Sequence, residues 1–297
     1  MTAFDVVQVS DTHLSRNRGY FYDNWRVFLS DMRAAPPDLI VHSGDLSLRG
    51  TDDVADLMFA RAELDKLPCP VLVVPGNHDI GDTPPDIRLQ RPLSEERRAQ
   101  WQAHIGPEWS YRDLCADGER GWRIAGINAQ LFDSGFDDEA HQLDWLERTF
   151  AMAGGRSLAL FLHKPIFYAA PEEEKLGLSV LYPSGRAALL DLCRKYGVKL
   201  IGSGHLHVYR DFTLDGMQMV WSPATAFINS KEKPLPKVEG LERRAGYIRY
   251  RFEGEAVTHR FVEPDMFMST DVRNWSRATG STVFLPPKPL ADMDIAQ

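Results

Sequence analysis

An α/β fold with mixed sheets covered by helices is predicted by three features of the 297-residue sequence. Short runs rich in Val, Ile and Leu stop abruptly at polar residues or glycine, as buried strands do. Helical periodicities alternate with these runs through about the first 80 residues, which is the pattern of parallel strands joined by crossover helices. Later runs follow one another with few helices between them, which adds antiparallel pairing.

Taken in order, the expected strands are Asp5 to Val9, Asp38 to His42, Val71 to Val74, Leu158 to Leu162 and Val198 to Ile201. Three more follow at Met217 to Trp221, Gly246 to Phe252 and Ala256 to Val262, the last two joined by a tight turn at Glu253-Gly254-Glu255. Val54, Leu57, Ala60 and Leu64 repeat at helical spacing after Asp52, and Leu143, Leu146, Phe150 and Ala153 do so behind the acidic start Asp137 to Glu139. A third helix is expected from Ser184 as N-cap to Gly197 as C-terminal stop.

Residues 1–263 are expected to form one domain, with 264–297 as a C-terminal extension. The extension holds Met266, Phe267, Met268, Trp275, Val283, Phe284 and Leu285, too apolar a set for a free tail. It lies across its own domain or embraces a second subunit, and the sequence leaves both open, so a homo-oligomer is one expectation. Ile80 to Leu93, with three prolines, and Asn229 to Arg244 read as excursions from the core, the first as a lid or a plain surface loop.

Composition narrows the partners. With 34 basic against 42 acidic residues the net charge is −8, and no local basic strip overrides it, so a long nucleic acid is not an expected partner. Nowhere do apolar residues run long enough to span a membrane. Cys69, Cys115 and Cys193 are far apart and odd in number, and the N-terminus enters patterned sequence within a few residues. Both observations point to a reducing, cytoplasmic location.

The chemistry is concentrated at strand ends. The first run leads into Asp11-Thr12-His13, the second into Gly44-Asp45, the third into Gly76-Asn77-His78-Asp79, a later one into His163, and another into Gly204-His205-Leu206-His207. In open α/β sheets the carboxyl ends of strands are where ligands bind, so five segments deliver polar groups to one rim. Asp11 and His13, two apart, point the same way in extended backbone. Two carboxylates (Asp11, Asp45), one amide oxygen (Asn77) and four imidazoles (His13, His163, His205, His207) make seven donors. A single tetrahedral ion uses three or four, whereas two divalent ions sharing a carboxylate need about this number. Mixed imidazole and carboxylate donors suit Mn, Fe or Zn. Two such ions bring four positive charges against two carboxylates, a centre that attracts phosphate and activates a water for in-line displacement.

In this order DTH, GD, GNHD, the isolated His163 and GHLH resemble the calcineurin-like metallophosphoesterase superfamily. The later WSPATAF at Trp221 to Phe227 and the strand GYIRYRF are similar to its cyclic nucleotide and glycerophosphodiester phosphodiesterase branch. The resemblance implies a four-layer αββα sandwich of two mixed β-sheets flanked by helices. It also implies that Asp11, His13, Asp45 and His207 hold one ion and Asp45, Asn77, His163 and His205 the other, with Asp45 bridging. His78 then lies beside the phosphate, stabilising charge or protonating the leaving oxygen, and is oriented by Asp79. Lys164-Pro165 departs from the second histidine seen in many relatives and makes Lys164 a candidate phosphate contact. His42 is expected to point away from the ligands, and His104, His141 and His259 carry no assigned role.

Tyr20, Tyr22 and Trp25 follow the first motif closely and are candidate substrate contacts, rings that overhang the metal rim. The expected function is therefore hydrolysis of small soluble phosphodiesters by attack of a metal-bound hydroxide. The alternatives are a phosphomonoesterase or nucleotidase, a phosphonate or phosphotriester hydrolase on the same site, and, more remotely, a non-catalytic metal-binding scaffold.

Overall fold

The computed structural model describes residues 2–83, 91–116, 120–174, 179–229, 238–272 and 287–291. In chain order its elements are β1 (Ala3–Val9), α1 (Tyr22–Ala34), β2 (Leu39–His42), α2 (Val54–Leu64), β3 (Val71–Val73), α3 (Asn77–Ile80), α4 (Glu95–His104), β4 (Ser110–Leu114) and β5 (Trp122–Ile127). After a short 3-10 turn follow α5 (Asp138–Ala151), β6 (Ser157–Leu162), α6 (Pro183–Tyr196), β7 (Leu200–Ser203), β8 (Arg210–Leu214), β9 (Met217–Trp221), β10 (Tyr247–Glu253) and β11 (Ala256–Val262).

They form two mixed sheets. One has the order β11-β10-β1-β2-β3, with β1, β2 and β3 parallel and the other two antiparallel. The other has the order β4-β5-β6-β7-β9-β8, parallel in its four central strands and antiparallel at both edges. Because side chains alternate across a strand, β1 sends Val6 into the layer between the sheets, beside Phe161, Val220 and Ile248. It sends Val7 and Val9 the other way, onto Trp25, Phe28 and Met32 of α1 and Leu57 of α2. The outer face of the second sheet is covered in the same manner by Leu146 and Phe150 of α5 and Leu189 and Cys193 of α6. Helix, sheet, sheet and helix give the four-layer sandwich that the resemblance implies.

Several boundaries differ from the expectation for local reasons. The N-cap of α2 is Asp53, whose side chain accepts from Ala55 N at 3.1 Å. Helix α6 starts one residue before Ser184, with Tyr182 as N-cap and Pro183 in the first turn, where its missing N–H costs nothing. Ser184 instead bonds the Asp133 carboxylate. Gly197 ends the helix in the left-handed conformation, as expected.

Of the excursions, residues 84–90 and 230–237 lie outside the described residues, as do 273–286 and 292–297 of the extension. The described part of the extension lies on its own domain, where Phe267 and Leu290 pack against the core under α1. Among the described residues no helix is long and apolar enough to cross a membrane.

Asp56, in the first turn of α2, is fully buried, and burial pushes its pKa up to about 6 against the opposing help of Ser15. A folded-state pKa above the unfolded value means that the fold favours the protonated acid. That contribution is complete below about pH 4 and is lost as the pH rises through 6. Asp56→Asn is therefore expected to stabilise the protein near pH 8 by roughly 2–3 kcal/mol, the size of the rise in its pKa, and to lose this advantage near pH 4. Urea unfolding at the two pH values measures it, and an equal effect at both would contradict the assignment.

Candidate metal centre

All five motif loops emerge at the carboxyl edge of the parallel strands: those after β1, β2 and β3 from one sheet, those after β6 and β7 from the other. The ladder between β1 and β2 continues past the strands, with Asp11 N donating to Gly44 O at 3.0 Å and His13 N to Asp45 O at 3.1 Å. This extension runs the first two loops side by side. Gly204 N donating to His163 O at 2.8 Å does the same for the second sheet.

The backbone in these loops is strained. Among the described residues seven non-glycine residues have positive φ, and five of them are Asp11 (53°), His13 (45°), Asp45 (50°), His205 (70°) and His207 (53°). Each costs about 1–3 kcal/mol and persists only where the surroundings over-determine it, which is common at functional sites. Close approach also fixes two glycines. A Cβ on Gly44, itself at φ +97°, would stand 2.4 Å from His163 Nδ1, and one on Gly76 would stand 2.2 Å from Asp45 N.

Seven side chains converge in two sets. In the first, His207 Nε2 lies 3.3 Å from Asp11 Oδ1 and 3.4 Å from His13 Nε2, which is 3.8 Å from Asp45 Oδ2. In the second, His163 Nε2 lies 3.1 Å from Asn77 Oδ1, 3.1 Å from His205 Nδ1 and 3.4 Å from Asp45 Oδ1. Asp45 thus offers one oxygen to each set. The far nitrogens of two imidazoles are held by carbonyls, His163 Nδ1 by Ser43 O at 2.9 Å and His207 Nδ1 by Phe227 O at 2.8 Å. A carbonyl only accepts, so these nitrogens carry the protons and the inward nitrogens of the neutral rings present lone pairs.

Lone pairs facing carboxylate and amide oxygens repel unless a cation lies among them, and Asp11 Oδ1 is buried without a hydrogen-bond partner. The donor set fits divalent metal ions on this ground. Without a bound ion, protons on His163 and His207 take the place of that cation. Burial acts to raise the Asp11 and Asp45 carboxyls, yet the surrounding imidazoles hold both well below the ordinary carboxylate range. Burial acts to lower His163, but Asp45 and Asp11 raise it to about 9, and Asp11 likewise raises His207. His13 and His205 are lowered by burial and by their imidazole neighbours. His42 is buried, lowered to about 3 by that burial, and lies 2.9 Å from Thr12 Oγ1, behind the ligand loop as expected.

His78 borders the first set, its ring centroid 4.6 Å from that of His13. Its Nδ1 lies 2.8 Å from Leu48 O, so Nδ1 is the protonated nitrogen of the neutral ring and Nε2 is left for other partners. Its orientation by Asp79 is not what the structure shows. The Asp79 carboxylate accepts from Leu46 N at 3.1 Å, Ser47 N at 2.8 Å, Ser47 Oγ at 2.6 Å and Gly76 N at 2.9 Å. It clamps the Asp45 loop to the Asn77 loop, and the Leu48 carbonyl orients His78.

Two of the candidate aromatic contacts are corrected as well. Tyr22 and Trp25 are buried in the core and donate to the Glu63 carboxylate at 3.1 and 3.0 Å, so neither overhangs the rim. Tyr20 is half-buried beside Phe21, with the Lys288 ammonium 5.2 Å from its ring centre. Lys164 is buried, bonded to the Asp82 carboxylate and to Thr83 O at 3.0 Å, and it ties down the chain after α3 instead of facing substrate. The ring against the metal centre is Phe227, 4.9 Å from His13 and 4.4 Å from His207 between centroids. Its only sequence signal is its place at the end of WSPATAF.

Fold and donor set together define a metal-dependent phosphoric ester hydrolase. The chain belongs to the calcineurin-like phosphoesterase family, whose model matches residues 4–209. It is 28% identical, over 75% of this chain and 86% of the relative, to a probable cyclic nucleotide phosphodiesterase of Xenorhabdus bovienii. It is 31% identical, over 60% of this chain and 50% of the relative, to a serine/threonine-protein phosphatase of Danio rerio. Among solved structures, the purple acid phosphatase from yellow lupin seeds shares the fold with a TM-score of 0.67 at 16% identity, over 98% of this chain and 57% of that one.

Proposed function

We propose that the protein hydrolyses small soluble phosphodiesters, such as cyclic nucleotides or glycerophosphodiesters, with two divalent ions at the strand-end centre. The observation that carries this reading is Asp45, whose two oxygens face two separate sets of lone-pair donors. Asp11, His13, Asp45 and His207 would hold one ion, and Asp45, Asn77, His163 and His205 the other. Bound there, two ions supply an activated water and hold a phosphoryl oxygen for in-line displacement. Mn, Fe and Zn all suit the donors.

His78, whose ring borders His13, is assigned to stabilise developing charge or to deliver a proton to the leaving oxygen. Phe227 and the neighbouring Phe21 give the centre an apolar wall on the His13 side. The free cysteines and the net charge of −8 support a cytoplasmic enzyme acting on small substrates, not on long nucleic acid. The relative named a phosphatase favours a second reading, a phosphomonoesterase on the same centre.

Paired assays on the Mn²⁺-loaded protein separate the two. Faster cleavage of bis(p-nitrophenyl) phosphate than of p-nitrophenyl phosphate is expected, and a preference for the monoester would overturn the diesterase reading.

A further inference from the structure

Of the two described parts of the chain beyond β11, one is hydrogen-bonded to a segment that backs one donor set and the other to a loop that carries part of it. The first part meets the segment after β9. There Thr225 N donates to Ser10 O at 3.0 Å and Ala226 N to Asp11 O at 3.1 Å, while Phe227 O holds His207 Nδ1 at 2.8 Å. The next residue, Ile228, pairs with the extension through Ile228 N to Thr270 O at 2.9 Å and Val272 N to Ile228 O at 3.1 Å. The second part meets the loop just after His13. Gly19 N donates to Lys288 O, Lys288 N to Asn17 O and Leu290 N to Arg16 O, each at 2.9 Å. The Leu290 side chain fills the space over Gly19, where a Cβ would lie 2.2 Å from Leu290 Cδ2.

Asn24 of α1 joins these pieces. Only 2% exposed, it donates through Nδ2 to Thr225 O at 2.8 Å and Met268 O at 3.0 Å and accepts from Met268 N at 2.8 Å. One side chain thus locks the extension onto the segment that backs Asp11 and His207. Of the other donor set, His163 is held by Ser43 O and the Asn77 loop by Asp79, whereas His205 leans on the first set, its N donating to Asp11 Oδ2 at 3.0 Å.

We propose that Asn24 is a positioning residue and that the described parts of the C-terminal extension are a strap holding the Asp11, His13 and His207 set. Occupancy of one of the two metal positions then depends on a segment remote in sequence far more than the other does. The inference rests on the dinuclear reading above. A buried amide that loses its side chain leaves Thr225 O and Met268 N without that partner and Met268 O with Thr270 N alone. The strand-end segment then relaxes, and His207 and Asp11 lose their fixed aim.

The test is calorimetric titration of full-length, metal-free protein with Mn²⁺. Wild type is expected to bind in two steps. Asn24→Ala weakens one step by at least about 10-fold, the scale of outer-layer support for metal ligands, and the other by clearly less. Leu290→Asn, which loosens the strap from Gly19 and leaves Asn24 in place, produces the same selective loss in smaller degree and keeps the test available should Asn24→Ala fail to fold. Two unaltered steps in the folded variants, or equal weakening of both, overturn the strap. A wild-type chain that binds only one ion overturns the dinuclear reading instead.

Discussion

Alanine in place of Asp45 is expected to remove both metal ions and to lower phosphoester turnover by more than about 10³-fold, well beyond the loss from an outer-layer residue. The expectation follows from the division of its carboxylate. Oδ1 lies 3.4 Å from His163 Nε2 and Oδ2 lies 3.8 Å from His13 Nε2, so each set loses an anionic member in one substitution. Asp45 Oδ1 also accepts His78 N at 2.8 Å, so the loop carrying Asn77 and His78 loses an anchor at the same time. Metal content per chain and turnover on a diester check the result together. A variant that keeps one tightly bound ion would show that the carboxylate serves a single position.

Removal of the His78 ring has a different signature. His78→Ala is expected to retain both ions and to lose about 10²- to 10⁴-fold in rate, the usual loss for an acid or base group. The loss should be largest for esters of poor leaving groups such as alkyl alcohols, which need a proton, and smaller for p-nitrophenyl esters, which leave without one. The Leu48 carbonyl matters here because it takes up Nδ1 and leaves Nε2 as the nitrogen for the proposed role. Lower metal content with unchanged turnover per bound ion would make His78 a ligand. The proximity of His13, Asp45 and His78 donor atoms, all within 4.8 Å, makes that comparison worth running.

The strand-end motifs are legible in the sequence because two constraints coincide there. Parallel strands buried on both faces read as unbroken apolar runs, and the loops after them carry donors that no core requires. β4 and β8 escape such a reading because they are antiparallel edges whose residues, SYRDL and RDFTL, are half-exposed and polar. β5 is buried throughout but carries Arg123, which the core tolerates because its Nε donates to Asp113 Oδ1 at 2.7 Å on the neighbouring strand. Helix α1 is a conflict between two signals. Tyr22, Trp25, Phe28 and Met32 are spaced three and four apart, as one helix face is, yet their closeness to Asp11 and His13 suggests a pocket wall.

The misplaced partner of His78 has an equally local cause. Neighbouring residues on a helix point roughly 100° apart, so Asp79 on α3 faces the Asp45 loop when His78 faces the metal centre. Adjacency in sequence is thus evidence against contact within that turn. Phe227, Asn24 and the Lys288 segment bear on the centre only through long-range pairing, and no local pattern announces them.

The shared carboxylate is tested most directly by electron paramagnetic resonance of the protein loaded with Mn²⁺ to saturation. Two ions bridged by Asp45 give an exchange-coupled spectrum, accompanied by two ions per chain in elemental analysis. The six-line spectrum of isolated Mn²⁺ at full loading would contradict a dinuclear centre.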